Sequence, residues 1–128
     1  MPLVRIDVIE GRTDKELAQL ADVIQEVLIE TFAAPKPDRY QIIHEHKRGL
    51  IMALDTGLGY TRTDKIVILQ ITHQGRNRQQ KEKMYSVMSQ KLESIGIPRT
   101  DLIISLTENT KEDWSFGLGR AQFLTGDL

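Results

Sequence analysis

The sequence predicts an α+β protein, a two-layer sandwich of two repeated β-α-β units with four main strands in one sheet and two helices on one face. Two observations lead to this prediction. A roughly alternating apolar segment, a segment with helical three-and-four spacing and another apolar run follow one another twice, in residues of about 2–46 and 65–108. A β-α-β unit normally has parallel strands and a right-handed crossover, so the helices of both units fall on the same side of the sheet.

The first unit opens with a predicted strand and the start of a helix. Residues 3–9, Leu-Val-Arg-Ile-Asp-Val-Ile, begin with two apolar residues and then roughly alternate, as a partly buried strand does. Gly11 and Arg12 break this pattern. A helix is predicted from Thr13, because its hydroxyl can cap free backbone N–H groups while Glu16, three positions later, reaches back to form a capping box.

An apolar stripe and two prolines define the rest of this unit. The stripe has helical spacing and consists of Leu17, Leu20, Ala21, Ile24, Val27, Leu28 and Phe32. Pro35 and Pro37 forbid continuation of the helix. Residues 40–44 are then predicted to form the second strand.

The second unit repeats this order, with a strand over residues 65–72, a turn over 74–77, a helix and a strand over 102–107. The turn Gln-Gly-Arg-Asn matches Glu-Gly-Arg-Thr of the first unit, and the capping pair becomes Asn77 and Gln80. The helix is expected to turn five side chains inward, which are Met84, Tyr85, Met88, Leu92 and Ile95.

The whole chain, residues 1–128, is expected to form one domain. Residues 46–64 carry three glycines and are predicted to form a loop or a short hairpin. The C-terminal arm, residues 109–128, holds the only tryptophan and two of the three phenylalanines, and would be a core plug, a subunit arm or an active-site wall. Because the sheet face opposite the helices has no cover of its own, oligomerisation is predicted.

Composition excludes several classes of function. The 17 basic and 18 acidic residues give a formal charge of -1, so no overall field draws the protein to nucleic acid or to an anionic membrane. There is no cysteine for a disulfide or a thiolate site. The chain starts without the pattern of a secretory signal and has no apolar run of membrane-spanning length, so a cytoplasmic protein is expected.

Pro2 is the first candidate for catalysis. A small second residue permits removal of Met1, which leaves a chain that begins with a secondary amine. Pro2 directly precedes the first predicted strand, where a sheet can hold its nitrogen in a fixed place. Such an amine can serve as a base, an acid or a Schiff-base nucleophile, depending on how burial and neighbouring charges set its pKa.

Arg76 and Asp38 are two further candidates, and each also has an ordinary structural explanation. Arg76 is predicted at the start of the second helix, where it is a solvated turn residue or a fork for a carboxylate. Asp38 follows a proline at a strand entry, as Asp101 does. A carboxylate there either forms a turn, or holds a nearby amine protonated or orients a water.

The three histidines, His44, His46 and His73, raise the hypothesis of a metal site. The first two would share one face of a strand, but the spacing specifies no third ligand. No bound metal is therefore predicted.

Five blocks of residues, which are spread over nearly the whole chain, carry a resemblance to a known family. They are residues 1–3 (Met-Pro-Leu), 9–14 (Ile-Glu-Gly-Arg-Thr-Asp), 37–41 (Pro-Asp-Arg-Tyr-Gln), 55–60 (Asp-Thr-Gly-Leu-Gly-Tyr) and 113–127, which contains Asp-Trp-Ser-Phe-Gly. On these blocks the chain resembles the tautomerase superfamily, whose members begin with a catalytic proline and are built from β-α-β units. Within it, the chain is most similar to the malonate semialdehyde decarboxylase family.

The resemblance implies a role for each candidate residue. Pro2 would be the general acid or base, Asp38 would assist it or a water, and Arg76 would grip a carboxylate of a small substrate. Trp114 and Phe116 would form an apolar wall that keeps the site dry. The resemblance also implies a homotrimer that needs no cofactor.

One position departs from the pattern of the decarboxylase family. That family has an arginine two residues before the position of Arg76, whereas this chain has Gln74. A glutamine in a substrate-binding position can donate a hydrogen bond but brings no charge.

Three functions remain open on these residues. The first is a cofactor-independent enzyme acting on a small oxo acid, as a malonate semialdehyde decarboxylase-like decarboxylase or hydratase, or as a keto-enol tautomerase of a phenylpyruvate-like substrate. The second is a non-catalytic binding protein on the same scaffold, and the third is a structural trimer. The joint presence of Pro2, Asp38, Arg76, Trp114 and Phe116 favours the enzyme.

Overall fold

The computed structural model describes residues 2–128. The elements in chain order are β1 (Leu3–Ile9), α1 (Asp14–Phe32), β2 (Tyr40–His46), β3 (Val67–Gln74), α2 (Arg78–Glu93), β4 (Leu102–Asn109) and α3 (Gln122–Thr125). Two short 3₁₀ helices, Arg99–Asp101 and Lys111–Asp113, flank β4. Within residues 2–128, no helix combines the length and the hydropathy that a membrane span requires.

The four strands form one mixed sheet in the order β2-β1-β3-β4. The strands of each β-α-β unit are parallel, and β1 and β3 join the two units in antiparallel register. The beginnings of β1 and β2 therefore lie beside the ends of β3 and β4. We call this edge the proline end, because Pro2 precedes β1 there, and we call the opposite edge the distal end.

The core lies between the helices and one face of the sheet. The strand side chains in it are Val4, Ile6, Val8, Val67, Leu69 and Ile71, and they pack on the apolar stripes of α1 and α2. Full burial of each such side chain stabilises the fold by about 1.5–3 kcal/mol. The opposite face is open, since Leu3 and Ile42 are 38% and 49% exposed. The predicted two-layer α+β sandwich with both long helices on one face is confirmed.

Both predicted capping boxes are present. In α1 the amide of Glu16 donates to Thr13 Oγ1 at 3.1 Å, and the Thr13 amide donates to the Glu16 carboxylate at 2.9 Å. Asn77 and Gln80 form the same pair in α2 at 2.8 and 3.0 Å. Because Asn77 is the cap, α2 begins at Arg78, and the prediction that Arg76 begins this helix is wrong.

Several predicted boundaries and one predicted core position need correction. Gln74, predicted in the turn, is the last residue of β3, and His46, predicted in the following loop, is the last residue of β2. Residues 47–66 form a loop, which is the first of the two predicted alternatives. Tyr85, predicted to point inward, is 39% exposed. The buried stripe of α2 is narrow and consists of Met84, Met88 and Leu92. Tyr85 lies beside it and borders a surface groove with Leu102 and Ile104 of the edge strand β4.

Candidate active site

Three of the sequence-predicted residues come together at the proline end, each at or next to the end of a different strand. Asp38 lies two residues before β2, Pro2 immediately precedes β1, and Gln74 ends β3. Adjacent strands are about 4.8 Å apart. Since β1 is central between β2 and β3, the Asp38 segment and Gln74 flank Pro2 on its two sides.

Pro2 is held firmly by the sheet. Its side chain is buried, and the next residue, Leu3, pairs with Tyr40 of β2 and with Thr72 of β3. A chain start paired on both sides is fixed in position, whereas an unpaired terminus frays.

Asp38 has a fixed backbone and an uncommitted carboxylate. Its amide donates to the carbonyl of Pro35 at 3.0 Å, and its own carbonyl accepts from Gln25 Nε2 at 3.1 Å. The side chain is half-buried, and no donor in residues 2–128 lies within hydrogen-bonding distance of its carboxylate oxygens. The carboxylate is therefore available to an amine, a water or a substrate.

Arg76 is bound to the protein's own backbone. Its Nε donates to the carbonyl of Phe32 at 2.8 Å, and its Nη1 donates to the carbonyls of Gln74 at 2.8 Å and Gly75 at 3.0 Å. The guanidinium also lies over the Phe32 ring, 5.4 Å from its centroid. Burial lowers the pKa of Arg76 from its ordinary value.

These contacts limit what Arg76 can offer a ligand. Within residues 2–128, only Nη2 has N–H groups without a protein acceptor. A bidentate grip through Nε is thus excluded in this arrangement, and a carboxylate would have to bind at Nη2. The guanidinium also provides a cation at the C-terminus of α1, whose last turn has no basic residue.

Trp114 and Phe116, which are predicted to form an apolar wall, lie against each other. Their rings stack with centroids 5.5 Å apart and ring planes 7° apart, and Phe116 lies 5.6 Å from Tyr40. Trp114 Nε1 donates to Asn109 Oδ1 at 2.8 Å, and Asn109 is paired with Gln74 at the ends of β4 and β3. The wall is thereby anchored to the proline end.

A cavity of about 240 Å³ lies between this wall and the start of β2. Its lining residues are Asp38, Tyr40, Phe116, Gln122, Asp127 and Leu128, and they include neither Pro2 nor Arg76. Gln122 fixes the wall, since it accepts from the Phe116 amide at 2.9 Å and donates to the Gly117 carbonyl at 2.8 Å.

Sequence reasoning missed four contributors to this end of the sheet. The sequence places Tyr40 in a predicted strand, and it places Asn109 and Phe123, whose ring is 5.6 Å from that of Phe116, in the C-terminal arm. Gln122 gave no signal at all. The position of Tyr40 two residues after Asp38, at a strand entry, was the one available clue, because alternate residues of a strand share a face.

The histidines do not converge on a metal. His44 and His46 share the open face, with rings 6.5 Å apart, and His46 Nε2 lies 2.6 Å from Asp7 Oδ1. His73 is buried among core residues on the other face. Across residues 2–128, no three His, Asp or Glu side chains are grouped as metal ligands.

A second cavity, of about 280 Å³, lies at the distal end and includes Ile9, Arg12, Asp64 and Lys65 in its lining. Although it is slightly larger than the cavity at the proline end, it is not the better candidate for the active site. The strand that starts beside it, β3, is preceded by residues in the middle of the chain, whose backbone nitrogens are all in peptide bonds, so no α-amine lies there.

Comparison with known proteins agrees with this geometry. Family models described as tautomerase enzyme match residues 38–117 and residues 2–59. The probable tautomerase YrdN of Bacillus subtilis (strain 168) is 50% identical over 129 residues, with 100% of both chains covered.

Solved structures extend this agreement to the fold. A malonate semialdehyde decarboxylase, whose wild-type, mutant and inactivated crystal structures address decarboxylase and hydratase activities, is 41% identical with a TM-score of 0.95 and 98% coverage of each chain. A fused 4-OT, a symmetric trimer, is 16% identical with a TM-score of 0.79 over 97% of this chain and 98% of that one, a likeness of fold alone. By its matching family models and its full-length relative, the chain belongs to the tautomerase family of enzymes.

Proposed function

We propose that this enzyme decarboxylates or hydrates a small oxo acid without a cofactor, in the manner of a malonate semialdehyde decarboxylase, and that the amine of Pro2 is its acid or base. The observation that carries the proposal is the buried Pro2 between the free carboxylate of Asp38 and the end of β3. The 41% identity to a malonate semialdehyde decarboxylase supports the substrate class. One mutant of that relative has its first-position proline replaced by alanine.

The decarboxylation needs one proton donor near a β-carbonyl. A protonated Pro2 donates to the carbonyl oxygen, and the electron pair of the bond to the carboxylate carbon moves toward that oxygen as carbon dioxide leaves. The enol that remains takes up a proton from water at carbon while its O–H proton returns to Pro2, which restores the carbonyl and the protonated amine. Asp38, with its unpaired carboxylate, would favour the protonated amine or orient a water for hydration.

The substrate carboxylate would bind at Arg76 Nη2 and at the side chain of Gln74. One charged donor group and one neutral amide neutralise a carboxylate less than an arginine pair does, so the bound acid keeps more of its charge. The stacked rings of Trp114 and Phe116 would exclude water, which strengthens both contacts.

Keto-enol tautomerisation of a phenylpyruvate-like acid is the second candidate. Gln74 is compatible with it, because moving a proton between carbon and oxygen requires the carboxylate only to be held in place. The name probable tautomerase of the 50% identical relative also supports it. In this reaction a neutral Pro2 would act as the base.

We also propose that the enzyme is a homotrimer. The open face of the sheet exposes Leu3 and Ile42, and the loop of residues 47–66 exposes five further apolar side chains, namely Leu50, Met52, Leu54, Leu58 and Tyr60. Exposed apolar surface of this extent is typical of an interface. Sedimentation equilibrium at several protein concentrations tests for three chains per particle.

An activity panel with malonate semialdehyde, phenylpyruvate and an acetylenic oxo acid tests the catalytic proposal. Pro2→Ala should reduce turnover of the accepted substrate by about 10²- to 10⁴-fold, the usual contribution of a general acid or base. Pro98→Ala is the matched control, because this half-buried proline lies at the distal end and should leave turnover unchanged. Product analysis by mass spectrometry separates decarboxylation, hydration and tautomerisation.

Two results would overturn the proposal. One is equal turnover by wild type and Pro2→Ala on every accepted substrate. The other is a fully active protein whose intact mass shows that Met1 is retained, since an acylated Pro2 nitrogen can neither give nor take the proton.

A further inference from the structure

His73, the next-to-last residue of β3, is a buried group that the proposed reaction does not use. Its side chain is fully buried, and its Nδ1 lies 3.0 Å from the carbonyl oxygen of Gln74. Because a carbonyl can only accept, Nδ1 carries the proton of the neutral ring, and Nε2 is left with a lone pair. Within residues 2–128, Nε2 is the one buried side-chain polar atom without a hydrogen-bond partner.

The surroundings of His73 keep its ring neutral. Burial lowers the pKa of His73 from its ordinary value, and the positive charges of Lys81 on α2 and Arg76 on the turn act in the same direction. The hydrogen bond to Gln74 and the carboxylate of Glu108 on β4 oppose this effect without reversing it. At neutral pH the ring therefore offers an acceptor, not a second donor.

The register of the sheet points to His73 as the neighbour of Pro2. The antiparallel pairing of β1 with β3 ends at Leu3 and Thr72, and its continuation by one residue would bring Pro2 opposite His73. Both residues are buried on the helix-covered face. Directly opposed residues have Cβ atoms about 4.5–5.5 Å apart, which is within the reach of an imidazole ring.

An unpaired buried nitrogen weakens a fold, and an apolar side chain of the same shape would avoid that cost. We propose that His73 is a positioning residue whose Nε2 accepts a hydrogen bond from the amine of Pro2 once Met1 has been removed. This inference rests on the proposed role of that amine. The bond orients the nitrogen and favours its protonated form, because hydrogen bonds to a charged donor are the stronger ones.

His73 also connects the amine to the substrate-binding arginine. The carbonyl oxygen of Gln74 accepts from both His73 Nδ1, at 3.0 Å, and Arg76 Nη1, at 2.8 Å. The Phe32 ring contacts both as well, with the imidazole 5.3 Å and the guanidinium 5.4 Å from its centroid. The Phe32 ring thus holds two groups in fixed relative positions, namely the imidazole that would bond to Pro2 and the guanidinium that would bind the substrate carboxylate.

The test is the pKa of Pro2, measured by ¹⁵N NMR titration of protein labelled with ¹⁵N-proline. His73→Asn places its amide near the Nδ1 position, so it keeps the donor to Gln74 and loses the acceptor. His73→Gln places an amide oxygen near the Nε2 position and keeps the acceptor. The pKa of Pro2 should fall by about one unit in His73→Asn, and it should stay near the wild-type value in His73→Gln.

A second variant keeps the test decisive if His73→Asn is poorly folded. His73→Leu puts an apolar side chain of similar size into the core, and the Gln74 carbonyl keeps its hydrogen bond from Arg76, so this variant should fold while the pKa of Pro2 falls as in His73→Asn. An unchanged pKa of Pro2 in the folded variants overturns the inference. Because the titration does not depend on turnover, loss of activity in Pro2→Ala with a pKa indifferent to His73 would refute only this role of His73. A pKa that depends on His73, with full activity in Pro2→Ala, would refute only the catalytic proposal.

Discussion

At the distal end of the sheet Asp101 directly precedes β4, whereas at the proline end Asp38 lies two residues before β2. Asp101 is fully buried, and its carboxylate accepts from the Thr63 amide at 2.7 Å and from the Thr63 hydroxyl. Asp38 is half-buried, and its carboxylate has no donor within residues 2–128. Both are aspartates near a strand entry, and only one is used by the fold.

The arginines that follow β1 and β3 show a related contrast. Arg12 at the distal end donates to the Lys65 carbonyl at 2.8 Å and lies near the charges of Glu16 and Asp101. Arg76 at the proline end binds three carbonyls and has no carboxylate partner for its charge within residues 2–128. Its backbone contacts fix the guanidinium and leave the charge for a ligand.

This contrast teaches that similar residues at two related ends serve different purposes. At the distal end the charged groups neutralise one another and stabilise the loops. At the proline end Asp38, Arg76 and the Nε2 atom of His73 are held in place while part of their hydrogen-bonding capacity stays unused. Unused capacity in a partly buried setting indicates a binding or catalytic site.

The largest expected effect comes from exchanging the two aspartates for alanine. Asp101→Ala removes the two hydrogen bonds between this buried carboxylate and Thr63 and should lower the free energy of unfolding by about 2–4 kcal/mol. Asp38→Ala should change stability by less than about 0.5 kcal/mol and reduce turnover by about 10²-fold. Urea unfolding and steady-state kinetics of both variants measure these effects, and comparable losses of stability in the two would refute the contrast.

A smaller effect is expected from pH at the distal end, where Asp7 pairs with His46, the last residue of β2. The His46 Nε2 and Asp7 Oδ1 atoms are 2.6 Å apart, and Arg5 Nε donates to Asp7 Oδ2 at 3.1 Å. Burial raises the pKa of Asp7, but the hydrogen bonds of His46 and Arg5 lower it by more, so the net shift is downward.

The sign of this shift fixes the pH window. A carboxylate with a depressed pKa stabilises the fold fully above the unfolded value of about 3.9, and this contribution is lost as pH falls through the folded value. Between pH 7 and pH 2.5, wild type should therefore lose more unfolding free energy than Asp7→Asn. Urea denaturation at several pH values and constant protein concentration measures how the free energy of unfolding of each protein changes with pH. An equal change in the two proteins would show that the pair between Asp7 and His46 contributes nothing.

Much of the fold could be predicted because its signals are local. The capping boxes depend on residues three positions apart, and the meeting of Pro2 with the Asp38 segment follows from the rule that β-α-β strands are parallel. Gln74 joins them only because the two units pair through antiparallel β1 and β3, which no local signal indicates. The donors of Arg76 could not be predicted, because one of its acceptors is the carbonyl of Phe32, 44 residues away in the chain. That contact exists only after α1 and α2 have packed on the sheet.

The internal repeat is also less regular than the sequence suggests. The caps Thr13 and Asn77 are 64 positions apart, but the core positions of β1 are even-numbered and those of β3 are odd-numbered. Equivalent core positions of the two strands are therefore an odd number of residues apart, whereas the caps are 64 apart. The segments between strand and cap thus differ in length by one residue. Because a shift of one residue moves a side chain to the other face of a strand, an alignment by sequence alone cannot identify the distal counterpart of Pro2.

The smallest effect distinguishes the ends of the two long helices. Ala33, after α1 at the proline end, adopts the left-handed conformation with φ 53°, whereas Gly96, after α2 at the distal end, has φ 97°. The left-handed conformation costs a residue with a Cβ about 1–2 kcal/mol, and glycine avoids this cost. The greater conformational freedom of glycine in the unfolded state offsets part of that gain. Ala33→Gly should thus raise the melting temperature by about 2–5 °C.

Gly96→Ala is the matched control for this substitution. A Cβ built on Gly96 meets no atom of residues 2–128 within 4 Å, so its effect comes from the backbone alone, and it should lower the melting temperature. The neighbour of Ala33, Phe32, provides the carbonyl that binds Arg76, which makes activity a second readout. If Ala33→Gly raises stability and keeps turnover unchanged, the left-handed residue is a strain that the site does not need. If turnover falls although stability rises, the conformation of this helix end helps to place Arg76.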